Sequence, residues 1–208
     1  MSVDVKKLSA QLIDDIGQAL IEERLDIVNE KVEPVIVKDT IYTRYVKRIL
    51  DIILSFFLII LTFPINIVIG TVTLFDVGSP IFFVQERIGK NGKPFNIVKF
   101  RNIKKKPTDF SLEDAVITPF GRFVRKTSLD ELLNFYSVFK GDMSLIGPRP
   151  LFEHHYKQFN RRHICRMAVR PGVECPPRDL SIDIRTWQTQ FENDVWYVEN
   201  VSFITDLK

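Results

Sequence analysis

Cysteine is scarce in this 208-residue chain: Cys165 and Cys175 are the only two. Two are too few for a disulfide scaffold, and they lack zinc-ligand spacing, so a reducing compartment is the default. Histidine is scarce as well. His154, His155 and His163 share their spacing with no acids or cysteines, which reads as surface or packing roles rather than a metal centre. There is no glycine-rich phosphate loop and no internal repeat. The net charge of +3 is too small to argue for nucleic acid. No basic segment followed by an apolar core opens the chain, so a signal peptide is not expected.

What charge there is lies unevenly. Residues 1–40 carry nine acids and five bases, net −4, which leaves +7 for the rest. A basic remainder suits an anionic substrate or a membrane surface. Within the acidic part, Leu8, Leu12, Ile13, Ile16, Leu20, Ile21 and Leu25 recur at helical spacing, predicting an amphipathic helix for packing or self-association. Val32 to Val37, with Pro34 inside, reads as a linker or edge strand.

Charge then vanishes. Residues 52–75 are 24 in a row with no charged side chain, enough to match a hydrocarbon core of about 30 Å. Arg44, Lys47 and Arg48 precede the run, and Arg87, Lys90, Lys93, Lys99 and Arg101 follow it. Basic residues on both flanks place both flanks on the cytoplasmic side. Pro64 in the middle breaks or kinks a helix. Together these predict a re-entrant helix–break–helix that enters one leaflet and returns. The alternative is a buried core helix. Beyond it, Ser79 to Gly89 and Phe95 to Arg101 read as two strands around the Asn91-Gly92 turn. Lys104-Lys105-Lys106 opens a polar loop that is either solvated or in touch with anionic headgroups. Thr118 to Arg125, residues 151–168 and Thr186 to Tyr197 read as helices. Val169 to Val173 reads as a turn.

The chemistry-bearing stretch is Thr127 to Tyr136, continued by Lys140-Gly141-Asp142-Met143-Ser144 and Gly147-Pro148-Arg149-Pro150. Ser128 followed by Glu131 has the spacing of a capping box at a helix start. Leu129, Leu132, Leu133 and Tyr136 then share a buried face, leaving Asp130 and Glu131 on the other side. Two acids in a first turn are often plain caps. Here Arg122, Arg125 and Lys126 lie upstream and Arg149 downstream. Arginines around two carboxylates suit phosphate groups, with a magnesium ion or a carboxylate nucleophile beside them.

Over about residues 44–208 the chain resembles the bacterial sugar transferases, the monotopic polyprenyl-phosphate phosphoglycosyl transferases. The resemblance rests on parts in one order: basic residues and an apolar segment with proline, Gln85-Glu86-Arg87-Ile88-Gly89, Lys99-Phe100-Arg101, Thr127 to Leu132, Lys140 to Ser144, Gly147 to Leu151, Val169-Arg170-Pro171-Gly172, and Phe191 to Tyr197. The segment Glu174 to Asp183 differs from the usual Thr-Gly-Trp and Gly-Arg-Asn of that family.

The charge and hydropathy patterns, with the resemblance over 44–208, imply an α+β, mainly helical fold in three parts. These are an acidic extension (1–40), a membrane-embedded re-entrant helix (41–76) turning at Pro64, and a cytoplasmic catalytic domain with a short β-hairpin (77–208). It implies transfer of a sugar-1-phosphate from a UDP-sugar to polyprenyl (undecaprenyl) phosphate with release of UMP, the first membrane step of glycan assembly at the bacterial inner membrane. Asp130 would be the nucleophile, and Asp130 with Glu131 would hold Mg²⁺. Arg125, Arg149, Lys99, Arg101 and Arg87 would bind substrate phosphates, supported by Asp142, Asp194 and Arg170. A homodimer is expected from the N-terminal helix, and no nucleic-acid partner. Two other readings stay open: a non-catalytic membrane scaffold of the same fold, suggested by the altered 174–183 segment, and a soluble nucleotide-binding protein with a buried helix.

Overall fold

The computed structural model describes residues 19, 21–104, 117–156, 158–179 and 186–208. Most of the acidic extension, including Leu8, Leu12, Ile13, Ile16 and Leu20, and most of the polar loop after Lys104 lie outside those residues. Residues 21–29 form the first helix, α1, and the segment from Val32 to Val37 has no regular structure.

A wide turn at Tyr42–Val46 leads into α2, Lys47–Val77, the long apolar helix. It continues across Pro64 without interruption, so the break expected there is not an end of helical structure. Hydroxyls along the helix bond back to its own carbonyls, as Thr62 does to Leu58 at 2.7 Å. Its burial pattern is inverted relative to a soluble helix. The stripe facing the domain is Asp51, Ser55, Thr62, Ile69, Gly70, Thr73 and Val77. The outward face is greasy: Phe57 is 62% exposed, Leu61 69% and Phe75 85%. With large apolar side chains turned outward over such a length, the helix is long and apolar enough to cross a membrane.

Both ends of α2 are tied to the same domain. Near the start, the Arg48 guanidinium donates to the carbonyls of Val138 and Phe139 at 2.7 and 2.8 Å, and Asp51 accepts from the Ser144 hydroxyl and the Leu145 amide, both at 3.0 Å. At the far end Asp76 accepts from the Thr118 hydroxyl, and Arg101 donates to the carbonyls of Val77 and Gly78 at 2.6 and 2.9 Å.

Strands β1 (Phe82–Ile88) and β2 (Pro94–Phe100) form the expected antiparallel hairpin, with Phe82 opposite Phe100 and Ile88 opposite Pro94. Asn91 and Gly92 supply the positive φ of its turn. Helix α3 (Pro119–Lys126) is capped by Thr118, which accepts from the Gly121 amide at 2.9 Å. A 3₁₀ turn at Leu129–Glu131 and helix α4 (Asn134–Lys140) follow. Between residues 151 and 168 the expected helix is only α5 (Glu153–Tyr156) and a 3₁₀ stretch at His163–Ala168. Helix α6 (Trp187–Glu199) buries Phe191, Val195 and Val198 as expected, and α7 is Phe203–Asp206. Asp206 gathers three groups: the Tyr42 and Tyr197 hydroxyls at 2.5 and 2.7 Å, and the Lys47 ammonium.

One element escaped the sequence reading. β3 (Ser144–Ile146) and β4 (Gly172–Glu174) pair in parallel, so Val169 to Val173 is a turn only in its first half. Three-residue strands carry too little alternation to be read as strands. Their pairing brings two backbones into close approach, with Gly147 donating to Glu174 at 2.8 Å and Gly172 to Pro148 at 2.9 Å. A Cβ on Gly147 would lie 2.6 Å from the Arg170 carbonyl oxygen. Gly147→Ala is therefore expected to cost roughly 1–3 kcal/mol of stability, read as a lowered thermal midpoint in detergent. An unchanged midpoint would contradict this packing.

Candidate active site

Asp130 and Glu131 sit together, but not at a capped helix start. Ser128 is in the left-handed region (φ 55°) and its side chain caps nothing. The capping box is therefore absent, and the helix proper begins at Asn134. The cause is the alternative partner available to Glu131. Its Oε1 accepts from Lys99 at 2.7 Å and from Arg149 at 2.8 Å. Two charge-assisted bonds outweigh one backbone cap. The leucines behave as the spacing predicts: Leu129, Leu132 and Leu133 pack on a core of Ile69, Phe100 and Val124. That packing seats the acid turn directly against α2. Tyr136, the last of the periodic set, remains half exposed.

The two carboxylates occupy different environments. Asp130 is 7% exposed, and among the described residues no other side chain bonds it. Burial pushes its pKa up, with the charge of Glu131 adding to the rise and the charges of Lys99 and Arg125 opposing it. Burial also works against ionised Glu131, but the hydrogen bond and charge of Lys99, then Arg149, outweigh it and hold that carboxyl below its usual range. One acid is thus a fixed anion, and its neighbour is an unpartnered one. Adjacent residues with opposite shifts are suited to different tasks.

Of the predicted phosphate-binding residues, Lys99 and Arg149 converge on Glu131, and Arg125 lies near enough to Asp130 to lower its pKa. Arg87 stands over the Phe152 ring at 3.4 Å, donates to Gln85 at 2.5 Å, and feels the charges of Arg149 and Glu131. Arg101 is turned away, its guanidinium on the C-terminal carbonyls of α2. Asp142 pairs with Lys140 at 3.0 Å, and Arg170 donates to the Gly141 carbonyl at 2.9 Å. These two are not brought to the acid pair. Pro64 lies within α2.

Asp194 forms a buried ion pair with Arg166 at 2.9 Å, and Arg166 in turn donates to the Arg149 carbonyl at 2.6 Å. Burial raises the Asp194 carboxyl while Arg166 pulls it down. This chain of contacts fixes the loop that presents the Arg149 side chain. Arg166 was missed from sequence. Its signal was a single cation inside the apolar run Ile164 to Val169, a pattern that favours a buried, paired charge.

Among the described residues no group of three or more His, Cys, Asp or Glu side chains is placed to hold a metal. Asp130 and Glu131 are an adjacent pair of hard oxygen donors, one of them without a partner. That set fits Mg²⁺, which keeps several waters and takes one or two carboxylates together with substrate phosphates.

The family model for bacterial sugar transferases matches residues 42–208. Among curated proteins, the chain is 39% identical to the uncharacterized sugar transferase EpsL of Bacillus subtilis, covering 78% of this chain and 82% of that one. It is 34% identical to a UDP-glucose:undecaprenyl-phosphate glucose-1-phosphate transferase of Klebsiella pneumoniae, over 78% of this chain and 38% of the relative. A UDP-N-acetylgalactosamine-undecaprenyl-phosphate N-acetylgalactosaminephosphotransferase of Aeromonas hydrophila is 32% identical, over 78% and 41%. The chain thus spans most of the first relative's length and about two fifths of the other two.

Two outcomes follow from the geometry. Asp130→Asn removes a buried, unpaired charge and is expected to raise the thermal midpoint by on the order of 2–4 °C, the shift that about 1 kcal/mol produces in a chain of this size. Asp194→Ala leaves Arg166 buried and unpaired and is expected to cost roughly 3–5 kcal/mol. Denaturant unfolding of both variants checks the pair, and the two shifts must have opposite signs.

Proposed function

Because the chain belongs to the bacterial sugar transferase family, we propose that it is a phosphoglycosyl transferase. It moves a sugar-1-phosphate from a UDP-sugar to undecaprenyl phosphate, as the first membrane step of glycan assembly. The observation that carries the reading is the buried carboxylate of Asp130, bonded by no other side chain among the described residues, beside a Glu131 clasped by Lys99 and Arg149.

In the proposed reaction an oxygen of Asp130 attacks the β-phosphorus of the UDP-sugar. The bond from that phosphorus to the bridging oxygen breaks, and UMP leaves with the electron pair. An aspartyl phosphosugar remains. An oxygen of the polyprenyl phosphate then attacks the same phosphorus and returns Asp130 as a free carboxylate. A carboxylate and a diphosphate repel each other, so the cations around the turn have to offset that charge. Lys99 and Arg149 hold Glu131 in place, and Arg125 and Arg87 add positive charge near the acid pair. Mg²⁺, held by Asp130 and Glu131, would supply charge neutralisation on the diphosphate. Burial of Asp130 removes the water that would otherwise solvate and quiet the nucleophile.

The membrane arrangement proposed here is monotopic. Two features support it: the apolar side of α2 faces outward, and both ends of α2 are bonded to one domain. A helix lying along a polar domain cannot cross a bilayer without drawing that domain into it. α2 therefore enters only the cytoplasmic leaflet of the bacterial inner membrane, with both flanks in the cytoplasm. The acid pair then lies at the depth of a lipid phosphate. Cysteines introduced as Glu30→Cys and Asn200→Cys, in a chain lacking Cys165 and Cys175, are expected to react with an impermeant reagent from the same face. Labelling from opposite faces would overturn this topology.

The chemical reading is tested by UMP release over a panel of UDP-sugars with undecaprenyl phosphate. Asp130→Asn is expected to release none, and chelation of Mg²⁺ to abolish release by the wild type. Donor labelled in the sugar should leave a covalent adduct on Asp130; product without any adduct would rule out the two-step route. Glu131→Gln is expected to retain a trace of activity whose acid limb lies at lower pH than in the wild type. The sign follows from the site: losing a neighbouring negative charge lets Asp130 ionise at lower pH.

A further inference from the structure

A second concentration of positive charge lies at the start of α2, separate from the acid pair. It surrounds a cavity of about 410 Å³. Four segments of the chain supply its cations: Lys38, Arg44 with Lys47 and Arg48, Lys90 of the hairpin turn, and Arg170. The acids in its wall are Asp39 and Asp51. Asp39 is taken by Arg44, and Asp51 by Ser144 and the Leu145 amide. Lys47 is satisfied by Asp206, and Arg48 by two carbonyls.

Among the described residues three of these cations remain without a carboxylate. Among the described residues the Lys38 and Lys90 ammonium groups have no hydrogen bond or ion pair, and the Arg170 side chain donates only through its Nε, to the Gly141 carbonyl. The closeness of Arg170 is felt at Lys90, whose ammonium is held below its usual range by desolvation and then by the charge of Arg170. Uncompensated cations around an open cavity cost stability through like-charge repulsion unless an anion joins them. The cavity also has a fixed position. Its wall includes the first turns of α2, where the outward apolar face begins with Ile49, Ile52 and Ile53. Tyr45, 59% exposed, stands at the same level, as interfacial aromatics do.

We propose that this cavity is an anion site for a phosphate ester, and that its occupant is the headgroup of an anionic membrane phospholipid. The lipid tails would run down the apolar face of α2 while Lys38, Lys90 and Arg170 hold the phosphate. The source of the phosphate rests on the membrane reading of α2; the site itself is independent of the chemistry at Asp130.

The test uses the full chain in a neutral detergent and reads its thermal midpoint. The probes are dioctanoyl phosphatidylglycerol, dioctanoyl phosphatidylcholine and inorganic phosphate. Phosphatidylglycerol is expected to raise the midpoint and phosphatidylcholine to leave it unchanged. The rise should shrink as salt is added. The double variant Lys38→Gln/Lys90→Gln should lose more than half of the rise, and its midpoint without probe shows that it is folded. A rise with inorganic phosphate that is equal in size and equally lost in the variant keeps the anion site and replaces the lipid with free phosphate as its source. No rise with either anion overturns the proposal. So does a variant that responds as the wild type does, because the anion then binds elsewhere. Retained UMP release in that case would leave the transferase reading standing.

Discussion

The carboxylate of Glu131 is the point at which three distant parts of the chain meet. Lys99 comes from the second strand of the hairpin, Arg149 from the loop after β3, and Glu131 itself from the 3₁₀ turn. An anion sharing one oxygen between two cations is a demanding arrangement, because each partner holds the others in place. It explains why the turn is 3₁₀ and why Ser128 adopts a left-handed backbone instead of capping a helix. It also frees Asp130. With Lys99 and Arg149 engaged by Glu131, the neighbouring acid is left buried, with no bond to another side chain among the described residues. Stability is given up at that position, and reactivity is what the position retains.

A second constraint is the inverted helix. In a water-soluble domain the stripe of Asp51, Ser55, Thr62 and Thr73 would face solvent and the phenylalanines would be inside. Here the polar groups serve as attachment points. Asp51 bonds β3, Arg48 bonds the end of α4, and Asp76 bonds the residue that caps α3. Small side chains let the domain approach closely, as Gly70 does beneath Phe100. The apolar helix is therefore as much a part of the framework that seats the acid pair as of the outward apolar surface.

The sequence carried the architecture well where signals were long or redundant. The uncharged run of residues 52–75, the Asn91-Gly92 hairpin and the periodicity of α6 all rest on many residues agreeing. The grouping of Asp130 and Glu131 with Arg125 and Arg149 was also legible, because residue type and local charge pointed the same way, whereas Lys99 entered only through the family resemblance. What failed was local rule against distant partner. Ser128 and Glu131 have the spacing of a capping box, yet ion pairing with residues 32 and 18 positions away won. Arg101 looked like a phosphate ligand beside Lys99, but neighbouring carbonyls claimed it. β3 and β4 are too short to announce themselves, and Arg166 gained its meaning only from Asp194, 28 residues further on.

Lys99 and Arg101 stand two places apart on one strand and its first residue beyond. One grips the acid turn, and the other grips the end of the long apolar helix. Two residues of extended chain measure about 7 Å, and an extended backbone stretches very little. The strand thus behaves as a rigid spacer between the end of α2 and the acid turn. Under the proposed membrane arrangement, the depth at which the helix beds into lipid sets how high Asp130 stands above it, and the reach to a lipid-borne phosphate becomes a length built into the backbone.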